Sequence, residues 1–124
     1  MSAAPKSETL EDILKDLEMN IPQIQATAIV SVEGLPIASA LPTGVDEAMI
    51  AAMTAAMLSL GERAAAELGK GELEQVFVKG KDGYIIAMGA GPNAVLTSSA
   101  TKDAKIGLIF LEMERAAKKI AKLV

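Results

Sequence analysis

The sequence predicts a single α/β domain of the α+β type, built on one five-stranded, largely antiparallel sheet with helices on both faces. Its 124 residues suit one domain. Apolar periodicity alternates between helix and strand in the order α-β-β-α-β-β-β-α. Short turns link neighbouring strands, which makes them antiparallel. Most strands are apolar or small on both faces, and this pattern indicates a three-layer sandwich.

Turn residues set the boundaries of these elements. The turn glycines Gly34 and Gly83 follow Glu33 and Asp82 in two hairpin turns, where glycine accepts positive φ. Since Pro36 donates no ladder hydrogen bond, the second strand is expected at a sheet edge. In chain order we predict a flexible tail over residues 1–6 and a domain over residues 7–124, with helices over 7–20, 46–68 and 103–123 and strands over 26–32, 35–40, 72–79, 84–88 and 94–99.

The two terminal helices are expected to lie side by side on one face of the sheet. The first helix has a capping-box-like spacing at Thr9 and Asp12 and is acidic on its outer face. The last helix ends in lysines, which suit the negative end of its dipole. Exposed charge pairs between the two helices would contribute little stability, about 0–1 kcal/mol each.

Composition excludes several classes of function. The chain has no cysteine and no histidine, which excludes disulfides, thiolate catalysis, imidazole catalysis and the usual metal sites of these residues. A net charge of −4 and only three aromatic residues disfavour nucleic-acid binding. Neither a signal-peptide-like stretch nor a run of about 20 apolar residues is present. We therefore expect a cytoplasmic protein with no membrane insertion, cofactor or metal.

Two motifs have residues that could take part in binding or catalysis. Residues 89–94 resemble a G-x-G-x-x-A phosphate fingerprint, but a strand follows instead of a helix, which favours a simple turn. Ser98, Ser99 and Thr101 form a hydroxyl cluster that lacks a histidine to activate it. These hydroxyls are expected to end the fifth strand and cap the last helix. An enzyme or small-molecule sensor is thus the least favoured reading, and no catalytic residue is predicted.

The second helix is apolar on two nearly opposite sides. Its large side comprises Met49, Met53, Met57 and Leu60, flanked by Ile50 and Ala64. Its small side comprises Ala48, Ala51, Ala52, Ala55 and Ser59. A helix that is apolar all round is normally buried all round. We expect the large side to pack on the chain's own sheet and the small side to meet a partner, unless the alanines serve only helix propensity.

The third strand supports a partner interface. If Val76, Phe77 and Val78 lie at a sheet edge, their unpaired backbone groups can pair with another strand. Antiparallel pairing about a two-fold axis would join two sheets and bring two long helices together. Ala55→Glu is then expected to break the dimer. The predicted dimer or partner interface comprises Ala48, Ala51, Ala52, Ala55, Ser59, Gln75, Val76, Phe77 and Val78.

The order of elements, with several segments, resembles the Roadblock / dynein light chain family. These segments are residues 26–38 (ATAIVSVEGLPIA), the alanine-rich helix over 48–68, residues 73–79 with the following hairpin, and residues 93–97 before the closing helix. The resemblance spans residues 7–123. The chain departs from the family pattern at Glu33, where aspartate is frequent, and at Ser98 and Ser99 in a strand that is usually aliphatic.

The resemblance implies a homodimer that pairs through the third strand and the second helix, without catalytic residues of its own. It also implies binding to a small Ras-like GTPase, as a scaffold or as an exchange-promoting or activating partner. A sister Roadblock subunit is a further partner to consider. Arg63 and Glu62 are candidate GTPase contacts, with an ordinary surface role as the alternative. The alternative function is a structural light chain of a larger motor or signalling assembly, with no nucleotide dependence.

Overall fold

The computed structural model describes residues 8–124 and confirms the predicted order of helices and strands. The tail predicted over residues 1–6, and the helix start near Ser7, lie outside the described residues. The elements are α1 (Leu10–Asn20), β1 (Ile24–Ser31), β2 (Pro36–Ala40), α2 (Glu47–Glu67), β3 (Val76–Gly80), β4 (Gly83–Gly89), β5 (Ala94–Thr101) and α3 (Ile106–Ala121).

The five strands form one sheet in the order β2-β1-β5-β4-β3, and every neighbouring pair is antiparallel. Strand β2, which begins at Pro36, therefore lies at one edge as predicted, and β3 lies at the other. The β1–β2 register shifts between Ile29 and Val30. The β3–β4 register is continuous from Val76 to Gly80. The two edges thus differ in regularity.

The layers are those of an α/β/α sandwich. Helices α1 and α3 cover one face of the sheet, over a core that includes Leu14, Ile29, Leu96 and Ile109. Among the described helices, α2 covers the other face, over a smaller core around Ala28, Val30, Ala51, Leu58, Ala87 and Val95. The apolar strand faces on both sides of the sheet account for this arrangement. The terminal helices are neighbours, as expected, and Lys119 Nζ lies 3.8 Å from Glu8 Oε1.

The predicted packing of α2 was wrong for part of its large side, since only Ile50 and Met57 of that side pack against the core beneath the helix. Met49, Met53 and Leu60 are 51%, 47% and 69% exposed, whereas Ala51 is fully buried against the sheet. The β1–β2 turn is the reason, because it passes close to the small side of the helix. A Cβ placed on Gly34 would lie 3.5 Å from the Ala55 Cβ. The small alanine side chains therefore leave room for the β1–β2 hairpin of the same chain. Met49, Met53 and Leu60 remain at the surface.

Several element boundaries also differ from the prediction, most of all those of β3 and α3. Strand β3 begins at Val76 and not at residue 72, and α3 begins at Ile106 and not at residue 103. The hydroxyl cluster does not cap α3, since the N-cap residue Lys105 makes no side-chain cap hydrogen bond. Instead, the Thr101 hydroxyl donates to the Asp103 carboxylate. Strand β5 continues through Ser98, whose hydroxyl donates to Met113 Sδ at 3.1 Å.

Candidate interaction surface

Among the described residues, no cluster of polar side chains is arranged as in a catalytic site. Most buried hydroxyls are used structurally; for example, Thr97 Oγ1 donates to the Ile86 carbonyl at 3.2 Å. Residues 8–124 contain no group of three or more acidic side chains placed to hold a metal ion. Residues 90–93 are confirmed as a turn between β4 and β5. Among the helices of residues 8–124, none combines the length and apolar character needed to cross a membrane.

The most unusual surface feature is an apolar stripe on α2. We call it the methionine face; it comprises Met49, Met53, Ala56, Leu60 and Ala64, all exposed. Steps of three and four residues put these side chains on one side of a helix. That side is turned away from the buried positions Ala51, Thr54 and Leu58. No other described element covers this side of α2.

The edge strand β3 is the second feature of this surface. Within residues 8–124, β3 pairs only with β4, so its outer backbone groups have no strand partner. Val78 is 40% exposed and Phe77 is 43% exposed, although the Phe77 ring stacks on Tyr84 with centroids 5.5 Å apart. Edge strands are commonly protected by proline or by bulges. Strand β2 has Pro36 and an irregular register, whereas β3 has neither.

The methionine face and β3 adjoin one another. Gly61 on α2 makes this possible, because a Cβ there would lie 2.8 Å from Val76 Cγ2. An apolar groove of about 350 Å³ runs between α2 and the sheet, with Met53 and Ile85 among its lining residues. Ile85 in turn pairs with Val78 on β3. An exposed apolar surface therefore extends from α2 to the edge of the sheet.

The structure divides the sequence-predicted interface into three groups. Ala51 is fully buried in the chain's own core, and Ala55 is half-buried beneath the β1–β2 turn. Exposed positions on α2 outside the methionine face are Ala48, Ala52 and Ser59. The positions at β3 are Gln75, Val76, Phe77 and Val78. Sequence reasoning did not predict that Met49, Met53 and Leu60 would be exposed. Gly61, a glycine inside the helix, was the one sign of close packing between this part of α2 and another element.

The two candidate GTPase contacts lie late on α2 and are exposed. Arg63 Nε donates to Glu67 Oε1 at 2.9 Å, one helical turn away. Such an exposed pair contributes little stability, so the guanidinium is available to a partner at small cost. Glu62 lines a groove of about 580 Å³ beneath the C-terminal part of α2, together with Glu72 and Leu73. Glu62 therefore lies beside the β1–β2 and β4–β5 turns, whose residues Val32 and Pro92 line the same groove.

Comparisons with known proteins agree with the resemblance seen in the sequence. A family model described as Roadblock/LC7 domain matches residues 10–100. The chain is 39% identical over 105 residues to the uncharacterized protein MJ1340 of Methanocaldococcus jannaschii, covering 84% of this chain and 91% of that protein. A Roadblock/LC7 domain structure from Streptomyces avermitilis is similar, with a TM-score of 0.86, 21% identity and coverage of 94% and 98%. Myxococcus xanthus MglB gives a TM-score of 0.83, 20% identity and coverage of 92% and 93%. The chain belongs to the Roadblock/LC7 family.

Proposed function

We propose that this protein is a homodimeric, non-enzymatic regulator or scaffold that binds a small Ras-like GTPase and modulates its nucleotide cycle or localisation. The observation that carries the proposal is the methionine face lying beside the β3 edge, which has no proline and a regular register. A large exposed apolar patch on a folded domain marks an interaction site. An unpaired, regular edge strand adds a set of directional hydrogen bonds to it. Together these features suit a protein partner better than a small molecule.

The dimer forms by antiparallel pairing of two β3 strands about a two-fold axis perpendicular to the sheet. This symmetry places both α2 helices on the same face of a ten-stranded sheet, two copies of five. Met53 and Leu60 lie towards opposite ends of the stripe. Met53 of one helix therefore packs beside Leu60 of the other. A solved MglB structure is described as having a tetrameric arrangement, which supports self-association in similar folds.

The proposed interface changes the prediction made from the sequence. Ala51 and Ala55 are replaced because they pack inside the chain. The proposed dimer interface comprises Met49, Met53, Ala56, Leu60, Ala64, Gln75, Val76, Phe77 and Val78. The exposed small residues Ala48, Ala52 and Ser59 lie on the other flank of α2. We assign them, with Glu62 and Arg63, to the GTPase surface that the paired helices would create.

The GTPase partner is supported by the family resemblance and not by a feature that only a GTPase could recognise. No described group is placed to do chemistry, so an effect on hydrolysis or exchange would come from positioning the partner's switch loops. Arg63 is exposed, and its one salt bridge, to Glu67, is weak. A more specific version of the proposal is that the Arg63 guanidinium inserts into the active site of the GTPase. Arg63→Ala distinguishes the two, because only insertion requires the guanidinium.

The test is capture of partners by the immobilised protein from a lysate of its source organism, with GDP and with a non-hydrolysable GTP analogue. Mass spectrometry should identify a Ras-like GTPase enriched in one nucleotide state. The captured GTPase is then purified, and its hydrolysis and exchange rates are measured with wild type, Arg63→Ala and a monomeric variant. Recovery of a nucleotide-indifferent assembly with no GTPase would contradict the proposal and favour the structural light chain.

A further inference from the structure

One buried hydroxyl of the chain has no hydrogen-bond partner. Four described residues with hydroxyl groups are buried, and these are Thr27, Thr54, Thr97 and Ser98. Three of them donate hydrogen bonds to other groups of the chain. The Thr54 hydroxyl makes none within residues 8–124, although the residue is only 2% exposed. Burying a hydroxyl without a partner costs free energy, so this exception calls for an explanation.

The Thr54 oxygen is not sealed inside the core. Among the described residues, no fully enclosed side-chain oxygen or nitrogen lacks a partner. The unpaired Thr54 oxygen must therefore belong to the small exposed fraction of this residue. Thr54 lines the apolar groove between α2 and the sheet. Its hydroxyl therefore opens into that groove.

The groove has depth because small side chains cover the sheet beneath it. Ala26 on β1 lies opposite Ser99 on β5, and Ala28 lies opposite Thr97. Alternation along the strands puts these four residues on one face of the sheet, and all four line the groove. The space that they leave below α2 is about 350 Å³, within the usual range of small-molecule sites.

The chemistry of the lining limits what the groove can bind. Ile50 and Met57 of α2 and Ile85 of β4 give it apolar walls. None of the described residues that line the groove is charged, so a charged ligand would lose its hydration without gaining a counter-charge. The Thr54 hydroxyl can both donate and accept a hydrogen bond. The lining therefore fits an uncharged, mainly aliphatic molecule with one polar group.

We propose that this groove binds a neutral, mainly aliphatic molecule whose hydroxyl or carbonyl group hydrogen-bonds to the Thr54 hydroxyl. If each non-hydrogen atom fills about the 30 Å³ of a liquid water molecule, the groove holds roughly 12 such atoms. The inference goes beyond the proposed function, because the site lies within one chain and needs no GTPase.

A second copy of the chain is the competing occupant. Met53 lines the groove and also belongs to the methionine face, so a partner helix could cover the opening. The methionine face is made of methionine, leucine and alanine side chains, which offer no strong hydrogen-bonding group to Thr54. A second copy would therefore leave the buried hydroxyl unpaired, whereas a small ligand with one polar group would satisfy it.

The test uses 1-octanol as the probe and octanoate as its charged counterpart. In protein labelled with ¹³C at the methionine methyl groups, 1-octanol should shift the NMR signals of Met53 and Met57. The signal of Met19, on the distant helix α1, should stay in place. Titration of these shifts gives a dissociation constant. Octanoate should bind at least about tenfold more weakly, because its carboxylate finds no cation in the groove.

Three variants separate the hydroxyl from the shape of the groove. Thr54→Val removes the hydroxyl and keeps the shape, so it should weaken 1-octanol binding by about two- to tenfold. Its urea midpoint should equal or exceed that of wild type, since no hydrogen bond within the chain is lost. Ala26→Leu should abolish binding by filling the floor. Thr43→Val makes the same change in the exposed loop before α2 and should bind 1-octanol like wild type.

The titrations are repeated on Leu60→Glu, which places a charge in the proposed dimer interface and leaves the groove intact. Equal binding by wild type and this variant supports a ligand site within one chain. Absence of binding by both overturns the proposal, as does unchanged affinity in Thr54→Val. Binding by Leu60→Glu alone would show that a second copy fills the groove in the dimer, which also overturns it. The proposed function is tested separately, by capture of a GTPase, and stands or falls independently.

Discussion

A pair of substitutions at adjacent positions on α2 separates the methionine face from the alanine side. Leu60→Glu places a carboxylate within the proposed dimer interface. Ser59→Glu places the same side chain one residue away, on the exposed flank nearer the β1–β2 turn. Both positions lie inside the helix, far from its ends, so helix propensity and dipole effects are closely matched. Only the environment in the dimer differs between the two.

The magnitude follows from the exposure of Leu60. Burying a whole leucine side chain contributes about 1.5–3 kcal/mol. Leu60 is 69% exposed, so about two-thirds of that, roughly 1–2 kcal/mol, remains to be gained in each subunit. Two-fold symmetry counts the contact twice, which gives about 2–4 kcal/mol per dimer. At about 1.4 kcal/mol per decade, Leu60→Glu should weaken dimerisation by about 30- to 700-fold.

Sedimentation equilibrium over a range of protein concentrations measures the dissociation constant of each variant directly. Ser59→Glu should stay within a few-fold of wild type. Circular dichroism spectra should show that both variants keep their helices, because both side chains are exposed in the isolated chain. If Ser59→Glu weakens the dimer and Leu60→Glu does not, the partner meets the alanine side and the reasoning from the structure is refuted. If both variants weaken dimerisation equally, the interface covers both the methionine face and the flank that carries Ser59.

Two further predictions concern stability and ionisation. Gly107→Ala, at the second position of α3, should stabilise the fold by up to about 1 kcal/mol because its Cβ would meet nothing within 4 Å. Gly61→Ala should gain the same propensity but lose about 1–3 kcal/mol to the overlap with Val76. Urea unfolding at one protein concentration compares them, and equal stabilisation would contradict the close contact of α2 with β3. The Thr101 hydroxyl holds the pKa of the Asp103 carboxyl below its ordinary 3.8. Thr101→Val should raise that pKa in an NMR titration, and an unchanged pKa would refute the contact. Since the folded-state pKa is lowered, this contact stabilises the fold above the unfolded-state pKa and is lost as pH falls through the folded-state pKa.

The sheet was predictable because its signals are local and do not compete. The Asp82-Gly83 turn, the Glu33-Gly34 turn and the alternation of small and branched residues each specify a hairpin with a defined side-chain pattern. The capping box at Thr9 and Asp12 is confirmed for the same reason, with the Asp12 N–H donating to Thr9 Oγ1 at 3.1 Å. Such features depend on residues only a few positions apart. They can therefore be predicted without knowing which elements pack against them.

The orientation of α2 was not predictable in the same way, because both of its sides are apolar. Hydrophobicity alone favours burying methionine and leucine ahead of alanine. The contact that decides the matter is long-range: a Cβ on Gly34 in the β1–β2 turn would lie 3.5 Å from the Ala55 Cβ and 3.6 Å from the Ala52 Cα, so the turn sits directly on the alanine side of α2. Packing geometry thus outweighed side-chain hydrophobicity. The start of α3 differs for a related reason, since Thr101 pairs with Asp103 and leaves the helix to begin later.

The feature that misled the prediction is the one that most strongly indicates a partner. A helix that served only its own sheet would need one apolar stripe. Helix α2 meets the sheet with Ala51 and Leu58, and still carries Met53 and Leu60 on its far side, where 47% and 69% of their surfaces remain exposed in the isolated chain. Gly61 keeps that far side close to β3, so that one partner could engage helix and strand together. Local rules of sequence tend to fail where a surface has a second role, and here they fail on the side of α2 to which we assign the partner.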